Sequence, residues 1–192
     1  MVRWEGDARG RLERAAMELY DERGFDNTTV ADIAERAGLT ERTFFRHFAD
    51  KREVLFGGAH ELQDLMVRAV TNAPDSVPPL VAASAGLDVA AEVLEQRRPF
   101  ARRRQAIIAA NAELRERELI KLASLSAALA DALRGRGVND PAARLTGEIA
   151  VGIFKIAFER WLDDADQRAF AEFIRESIGA LMTLSIGAYQ QV

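Results

Sequence analysis

The sequence predicts an all-α fold, with an N-terminal module of three short helices carrying a helix-turn-helix joined to a larger domain of long helices. Three observations predict it. Apolar residues recur at three- and four-residue spacing with no sustained two-residue alternation, the pattern of amphipathic helices rather than half-buried strands. Helix punctuation by glycine, proline and capping side chains falls at short intervals up to residue 56 and at long intervals beyond it. Aromatic and β-branched clusters of the kind that mark strands are missing.

Each element has its own signal. A first helix is expected from about Asp7 to Arg23, with Leu12, Ala15, Ala16 and Leu19 on one stripe and Gly24 ending it. Thr28 and Thr29 offer N-caps for a second helix, about Val30 to Ala37, stopped by Gly38. Thr40 can cap a very short third helix from Glu41 to about His47. Asp50, with Glu53 three residues on, has the capping-box arrangement for a fourth. Pro74, Pro78 and Pro79 mark a break after that helix, and Pro99 marks another near a helix start, where its missing N–H does no harm. A long helix follows, about Asn111 to Arg134, then a Gly135-Arg136-Gly137 turn. Two final helices are expected at about Pro141–Leu162 and Asp166–Ala188. The expected division is residues 1–56 as one domain and 57–192 as the other.

The chain has 192 residues, 48% of them apolar, which is enough for a substantial core. It has no cysteine, which excludes disulfides, thiolate metal sites and a cysteine nucleophile, and its two histidines are too few for a histidine-rich metal cluster. Neither a signal-peptide pattern after Met1 nor a run of eighteen apolar residues is present, so a cytoplasmic protein without a membrane partner is expected. The net charge of −4 argues at first against a nucleic-acid partner. That objection is weak, because DNA binding needs a local basic face and not a basic protein.

Such a face lies in the second and third helices. Ile33, Ala34, Ala37, Leu39, Phe44 and Phe48 place apolar groups where two short helices pack on each other and on the first, with Gly38 in the turn, as in a helix-turn-helix. The second of the pair exposes Glu41, Arg42, Thr43 and Arg46. Arg42 and Arg46, four apart, share a face. A helix fits the major groove, and arginine can bond guanine O6 and N7 together. From Arg36 to Arg52 there are five basic residues against two acidic ones.

The ordered set Ala15-Ala16, Leu19-Tyr20, Gly24-Phe25, Thr28-Thr29-Val30, Ile33-Ala34, Ala37-Gly38-Leu39-Thr40, Thr43-Phe44-Phe45, His47-Phe48, Lys51 and Leu55 resembles the DNA-binding domain of the tetracycline-repressor (TetR) family, over residues 11–56. The resemblance implies a dimeric transcriptional regulator acting as a repressor. It implies that Thr40, Thr43, His47 and Lys51 hold phosphates or flanking base edges, Lys51 from the first turn of the fourth helix. Thr29 is placed with them, and Arg42, Phe45 and Arg46 complete the expected DNA-contact set. One departure matters. The family usually has tyrosine where this chain has Phe45; the phenyl can pack against the sugar–phosphate edge but loses a hydrogen bond to phosphate.

In that family the C-terminal helices bind an effector and dimerise, which implies a homodimer through the last two helices. Ile149, Gly152, Ile153 and Ile156 on one, and Phe173, Ile174, Ile178, Leu181, Met182 and Ser185 on the other, are the expected face. A two-fold protein reads a near-palindromic site. The expected effector pocket involves Leu62, Met66, Phe100, Arg103, Ile107, Leu125, Phe154, Phe158 and Trp161, so the effector is a small apolar or acyl-type molecule and no cofactor is expected. The arginine-rich run from Arg97 to Arg104 reads as a solvated face or as a cradle for an anionic head group such as that of an acyl-CoA. The pattern ending Phe158-Glu159-Arg160-Trp161-Leu162 is similar to the C-terminal domains of mycofactocin-type regulators in the same family. The direct join of the fourth helix to both halves suggests that ligand favours a dimer with wrongly spaced recognition helices.

No Gly-rich phosphate loop, paired-histidine metal motif or nucleophile elbow appears, so an enzyme is not expected. A helical ligand-binding or scaffold protein whose helix-turn-helix no longer binds DNA stays open as the alternative. Salt-dependent DNA affinity that disappears in Arg46→Ala separates the two.

Overall fold

The structure is a computed structural model that describes the backbone of residues 7–189 and the side chains of residues 7–184. Among the described residues there are nine α-helices, one 3-10 turn and no strand. The chain forms two compact units, residues 7–59 with Arg102–Leu119 and His60–Ala101 with residues 120–189.

The first unit holds α1 (Ala8–Arg23), α2 (Val30–Arg36), α3 (Glu41–His47) and a 3-10 turn (Glu53–Phe56). Leu12 and Ala16 of α1, Ile33 of α2 and Phe44 of α3 are fully buried, with Phe48, Tyr20 and Phe25 beside them. The expected fourth helix does not run on from Asp50. The Asp50 carboxylate accepts from the N–H groups of Arg52 (2.8 Å) and Glu53 (3.1 Å), as a cap should. It caps only the 3-10 turn, because Gly57-Gly58 are poor helix formers and interrupt the backbone before α4 (Ala59–Asn72).

Residues 102–119 were expected with the larger domain and instead complete the first unit. They comprise most of α6 (Arg98–Ala110) and the first third of α7 (Ala112–Gly135). Arg104 donates to the carbonyl of Leu55 at 2.6 Å, lies 5.0 Å from the Phe56 ring centroid and faces Glu118 at 3.6 Å. Burial pulls its guanidinium below the ordinary value, against the attraction of Glu118. Arg103 pairs with Asp21 and Arg117 with Glu53. These long-range arginine contacts hold the segment, and hydrophobic periodicity does not register them.

The second unit holds α4, α5 (Pro79–Glu95), the rest of α6 and α7, α8 (Asp140–Asp163) and α9 (Phe170–Tyr189). Ala82, Ala83, Leu87 and Ala90 of α5 are fully buried among Met66, Leu129, Leu133, Ala150, Trp161 and Ile174. Small residues let the helices approach. A Cβ added at Gly147 would come within 2.6 Å of the Ser126 carbonyl oxygen. Helix α9 starts four residues later than expected, at Phe170, because Gln167 takes a positive φ of 55° and breaks the helical run. The Glu95 carboxylate caps it, accepting from the Phe170 N–H at 2.7 Å. Gly147→Ala therefore lowers stability by about 1–3 kcal/mol, the usual penalty for overfilling a packed contact. Urea denaturation checks this, and a midpoint equal to that of the native chain would show that α7 and α8 have room to separate.

Candidate nucleic-acid interface

The interface is built from the ends of α2 and α3. Thr29 begins α2 with a reciprocal cap: its hydroxyl accepts from the Asp32 N–H (3.2 Å), and the Asp32 carboxylate accepts from the Thr29 N–H (2.8 Å) and hydroxyl (2.6 Å). Those bonds hold the Asp32 carboxyl below its ordinary value, helped by Arg23 at 3.0 Å. Helix α2 ends where Gly38 adopts φ 64°, a left-handed turn that L side chains rarely take. The turn is closed by Gly38 N–H to Glu35 O (2.9 Å) and Leu39 N–H to Ala34 O (2.8 Å). From α1, Arg11 donates to the Ala37 carbonyl and, at 3.5 Å, to that of Gly38. Arg11 is absent from the expected site. Its only signal is that an arginine occupies the stripe continued by Ala15 and Leu19.

Thr40 then caps α3, accepting from the Thr43 N–H at 3.2 Å, with the two hydroxyls 3.1 Å apart. Phe44 and Phe48, four apart, are buried with ring centroids 5.5 Å apart. That fixes the phase of the helix. Arg42, Phe45 and Arg46 face outward, and Phe45 is 55% exposed. Neither Arg42 nor Arg46 meets a carboxylate among the described residues.

The other cations of the stretch are already engaged. Arg36 pairs with Glu22 at 2.8 Å and Glu18 at 3.4 Å, and its guanidinium holds the Glu22 carboxyl below the ordinary carboxylate range. Arg52 pairs with Asp50 at 2.6 Å. Lys51 lies before the 3-10 turn and not in a helical first turn. Its ammonium donates to the carbonyls of Phe25 (2.9 Å) and Thr28 (3.1 Å) and sits 4.2 Å from the Phe25 ring centroid. The expected anion grip is thus turned inward, onto the carbonyls of the loop between α1 and α2. His47 is half-buried, and its Nε2 has no hydrogen-bond partner among the described residues. The basic field read from the sequence comes down to Arg42 and Arg46.

The residues expected around an effector fall in both units. Met66, Leu125 and Trp161 belong to the core cluster of the second, and Leu62, Phe154 and Phe158 pack against it while partly buried. Phe154 and Phe158 stack at 5.7 Å, Phe158 lies 5.8 Å from Trp161, and Phe170, which was not expected there, stacks on Trp161 at 4.9 Å. Phe100 lies under Arg97 at 5.1 Å. Arg103 and Ile107 belong to the first unit, Arg103 paired with Asp21 and Ile107 buried. Within the arginine run, Arg98 is neither solvated nor open to an anion: it donates to the carbonyls of Trp161 and Asp164 and lies 3.6 Å from the Asp164 carboxylate.

A helix-turn-helix whose second helix turns outward two arginines that meet no carboxylate among the described residues is the arrangement of a DNA-binding protein. Residues 13–56 match the model for bacterial regulatory proteins of the tetR family, and residues 77–184 match the MftR C-terminal domain. The chain belongs to the TetR family of bacterial regulatory proteins, with a C-terminal domain of the MftR type. It is similar to the HTH-type transcriptional regulator TcmR of Streptomyces glaucescens, 40% identical over 76 residues, which are 40% of this chain and 34% of the relative. The chain thus spans about a third of that relative's length. In fold it is similar to FadR of Bacillus subtilis, solved in complex with stearoyl-CoA (TM-score 0.60, 17% identity, 90% of this chain and 96% of the other). It is also similar in fold to the FadR repressor of Thermus thermophilus, solved with lauroyl-CoA (TM-score 0.50, 23% identity, 91% and 93%). The family is one of regulators and not of enzymes. Among the described residues no helix is long and apolar enough to cross a membrane.

The cap of α2 carries a pH dependence. A carboxyl held low in the folded state adds stability that is present above its unfolded value of about 3.9 and is lost as pH falls through the folded one. Asp32→Asn is therefore less stable than the native chain at pH 7, and the gap between their urea midpoints closes below about pH 4. A gap that does not narrow at all as the pH is lowered below about 4 would mean that Asp32 acts through shape and not through charge.

Proposed function

We propose that this chain is a dimeric transcriptional repressor that binds a near-palindromic operator through α3 and is released by a small apolar or acyl-type effector. The observation that carries the DNA part is the isolation of Arg42 and Arg46 on the outward face of α3, the helix begun by the hydroxyls of Thr40 and Thr43, while Arg36 and Arg52 are tied up in ion pairs. Guanidinium groups that need not leave a carboxylate are ready to bond guanine edges or phosphates. The effector part is supported by the aromatic cluster of Phe154, Phe158 and Trp161 in the second unit, and by the acyl-CoA bound in both FadR structures. The paired state of Arg98, Arg103 and Arg104 favours recognition of the acyl chain over the head group. A ligand that prefers the released state by about 2–3 kcal/mol falls within the usual range of allosteric coupling.

Dimerisation rests on apolar side chains left uncovered on α8 and α9. Leu145, Ile156, Met182 and Leu184 are all more than half exposed. A Cβ at Gly152 would meet nothing within 4 Å, so the position leaves room for a second copy of the helix. Ile153, Phe173 and Ile174, expected on the same face, are buried in the core of their own unit and are removed from it. Ile149, Ile178 and Leu181 pack partly against that core, and the side chain of Ser185 lies outside the described residues.

Selection of bound duplexes from a random pool, with and without long-chain acyl-CoA, tests the reading. The native chain enriches a palindrome, acyl-CoA weakens its capture, and Arg42→Ala/Arg46→Ala enriches nothing. If both arginines contact phosphate, the double variant also lowers the salt slope of log K by up to about 2. Enrichment that survives both substitutions would exclude α3 as the reading helix. On the dimer, Ile156→Glu sets like charges opposite each other at a two-fold contact and yields a monomer by sedimentation, with operator affinity reduced by the loss of bivalent binding. A dimer that survives places the interface elsewhere.

A further inference from the structure

The phenyl ring of Phe45 is the only aromatic among the large apolar side chains left exposed in the described residues. It sits at the centre of the outward face of α3, three residues after Arg42 and one before Arg46. Burial of Phe44 sets that orientation, and the Phe44 ring holds Phe45 edge-on at 5.5 Å and 82°. Neither neighbouring guanidinium stacks on it, so it is not serving as a platform for its own arginines. A preoriented apolar group remains between two cations that meet no carboxylate, with nothing among the described residues covering it.

The chemistry of a major groove offers one partner for such a group. A phenyl has no hydrogen to donate to a phosphate, and the electron-rich face of the ring repels an anion. Among the base edges, thymine alone presents an apolar substituent, its C5 methyl, and phenylalanine is one of the side chains suited to it. We propose that Phe45 reads a thymine methyl in each half-site and so sets part of the operator's sequence, a reading that rests on α3 being the major-groove helix. With a helical rise of about 1.5 Å per residue, the Cα atoms of Arg42 and Arg46 stand roughly 6 Å apart along the axis. That distance is about two base-pair steps of roughly 3.4 Å. The thymine therefore lies within about two base pairs of the positions met by the arginines.

Uracil scanning of the selected operator tests this directly, because uracil is thymine without the methyl. Each thymine is replaced in turn by deoxyuridine, and the affinities of the full-length native chain, Phe45→Ala and Phe45→Tyr are measured at fixed salt. One symmetric position responds: the native chain loses about fourfold for one half-site and roughly fifteenfold for both, as expected for one methyl group taken out of contact. Phe45→Tyr keeps the response. Phe45→Ala binds the thymine and uracil operators alike, and its salt dependence equals that of the native chain, since no phosphate contact is lost. An operator without a thymine in this window overturns the proposal, as does a native chain indifferent to every uracil or a response that persists in Phe45→Ala. Failure of the native chain to enrich any sequence overturns it together with the DNA-binding reading, so the two failures are distinct.

Discussion

Helix α3 is two turns long, and a helix of seven residues does not hold itself together in water. It exists because Phe44 and Phe48 are withdrawn from solvent into the small core made with Leu12, Ala16 and Ile33. Every outward feature of the unit depends on that burial. Two rings four residues apart fix the rotation of the helix about its axis, and that rotation decides that Arg42, Phe45 and Arg46 face away from the core. The turn before it adds a second constraint: Gly38 supplies the backbone conformation and Arg11 ties its carbonyls to α1. The outward face of α3 is a consequence of packing.

Electrostatics sort the arginines into two kinds. The chain carries 26 basic and 30 acidic residues, and many of its arginines are engaged by carboxylates or carbonyls within the fold. Arg103, Arg104 and Arg117 bind residues 102–119 to the helix-turn-helix unit, and Arg98 secures the loop between α8 and α9 through carbonyls and Asp164. The exposed ones among them, such as Arg103 with Asp21, contribute little each, at most about 1 kcal/mol. They nevertheless remove those guanidiniums from competition for DNA. Against that background two arginines on one helical face that meet no carboxylate among the described residues are informative, and the overall acidity of the protein sharpens the contrast.

Much of this was legible in the sequence, for reasons that can be named. The caps at Thr29 and Thr40, the stop at Gly38 and the burial of Phe44 and Phe48 are local, and local rules suffice for them. The break at Gly57-Gly58 is local as well, but the capping pattern at Asp50 and Glu53 pointed to a continuous helix and outweighed it. What sequence reasoning could not see is long-range. Lys51 turns to carbonyls some two dozen residues earlier in the chain, and residues 102–119 join the first unit through side chains whose partners lie far away. In the larger unit, apolar residues at helical spacing look the same whether they line a pocket, fill the core or face a second copy. Ile153 and Ile156 are three apart on α8, one buried and one exposed, and no property of the two residues separates them.

The central claim, that α3 enters the groove once in each half-site, can be tested by exploiting the absence of cysteine from the chain. Glu41→Cys places a single exposed thiol at the start of α3, to which an iron–EDTA cleaving group can be attached. On the selected operator, cleavage should map to two positions related by the palindrome's two-fold axis, about one helical turn apart or somewhat more. Cleavage at a single position, or spread evenly along the duplex, would contradict a symmetric dimer reading its site through α3.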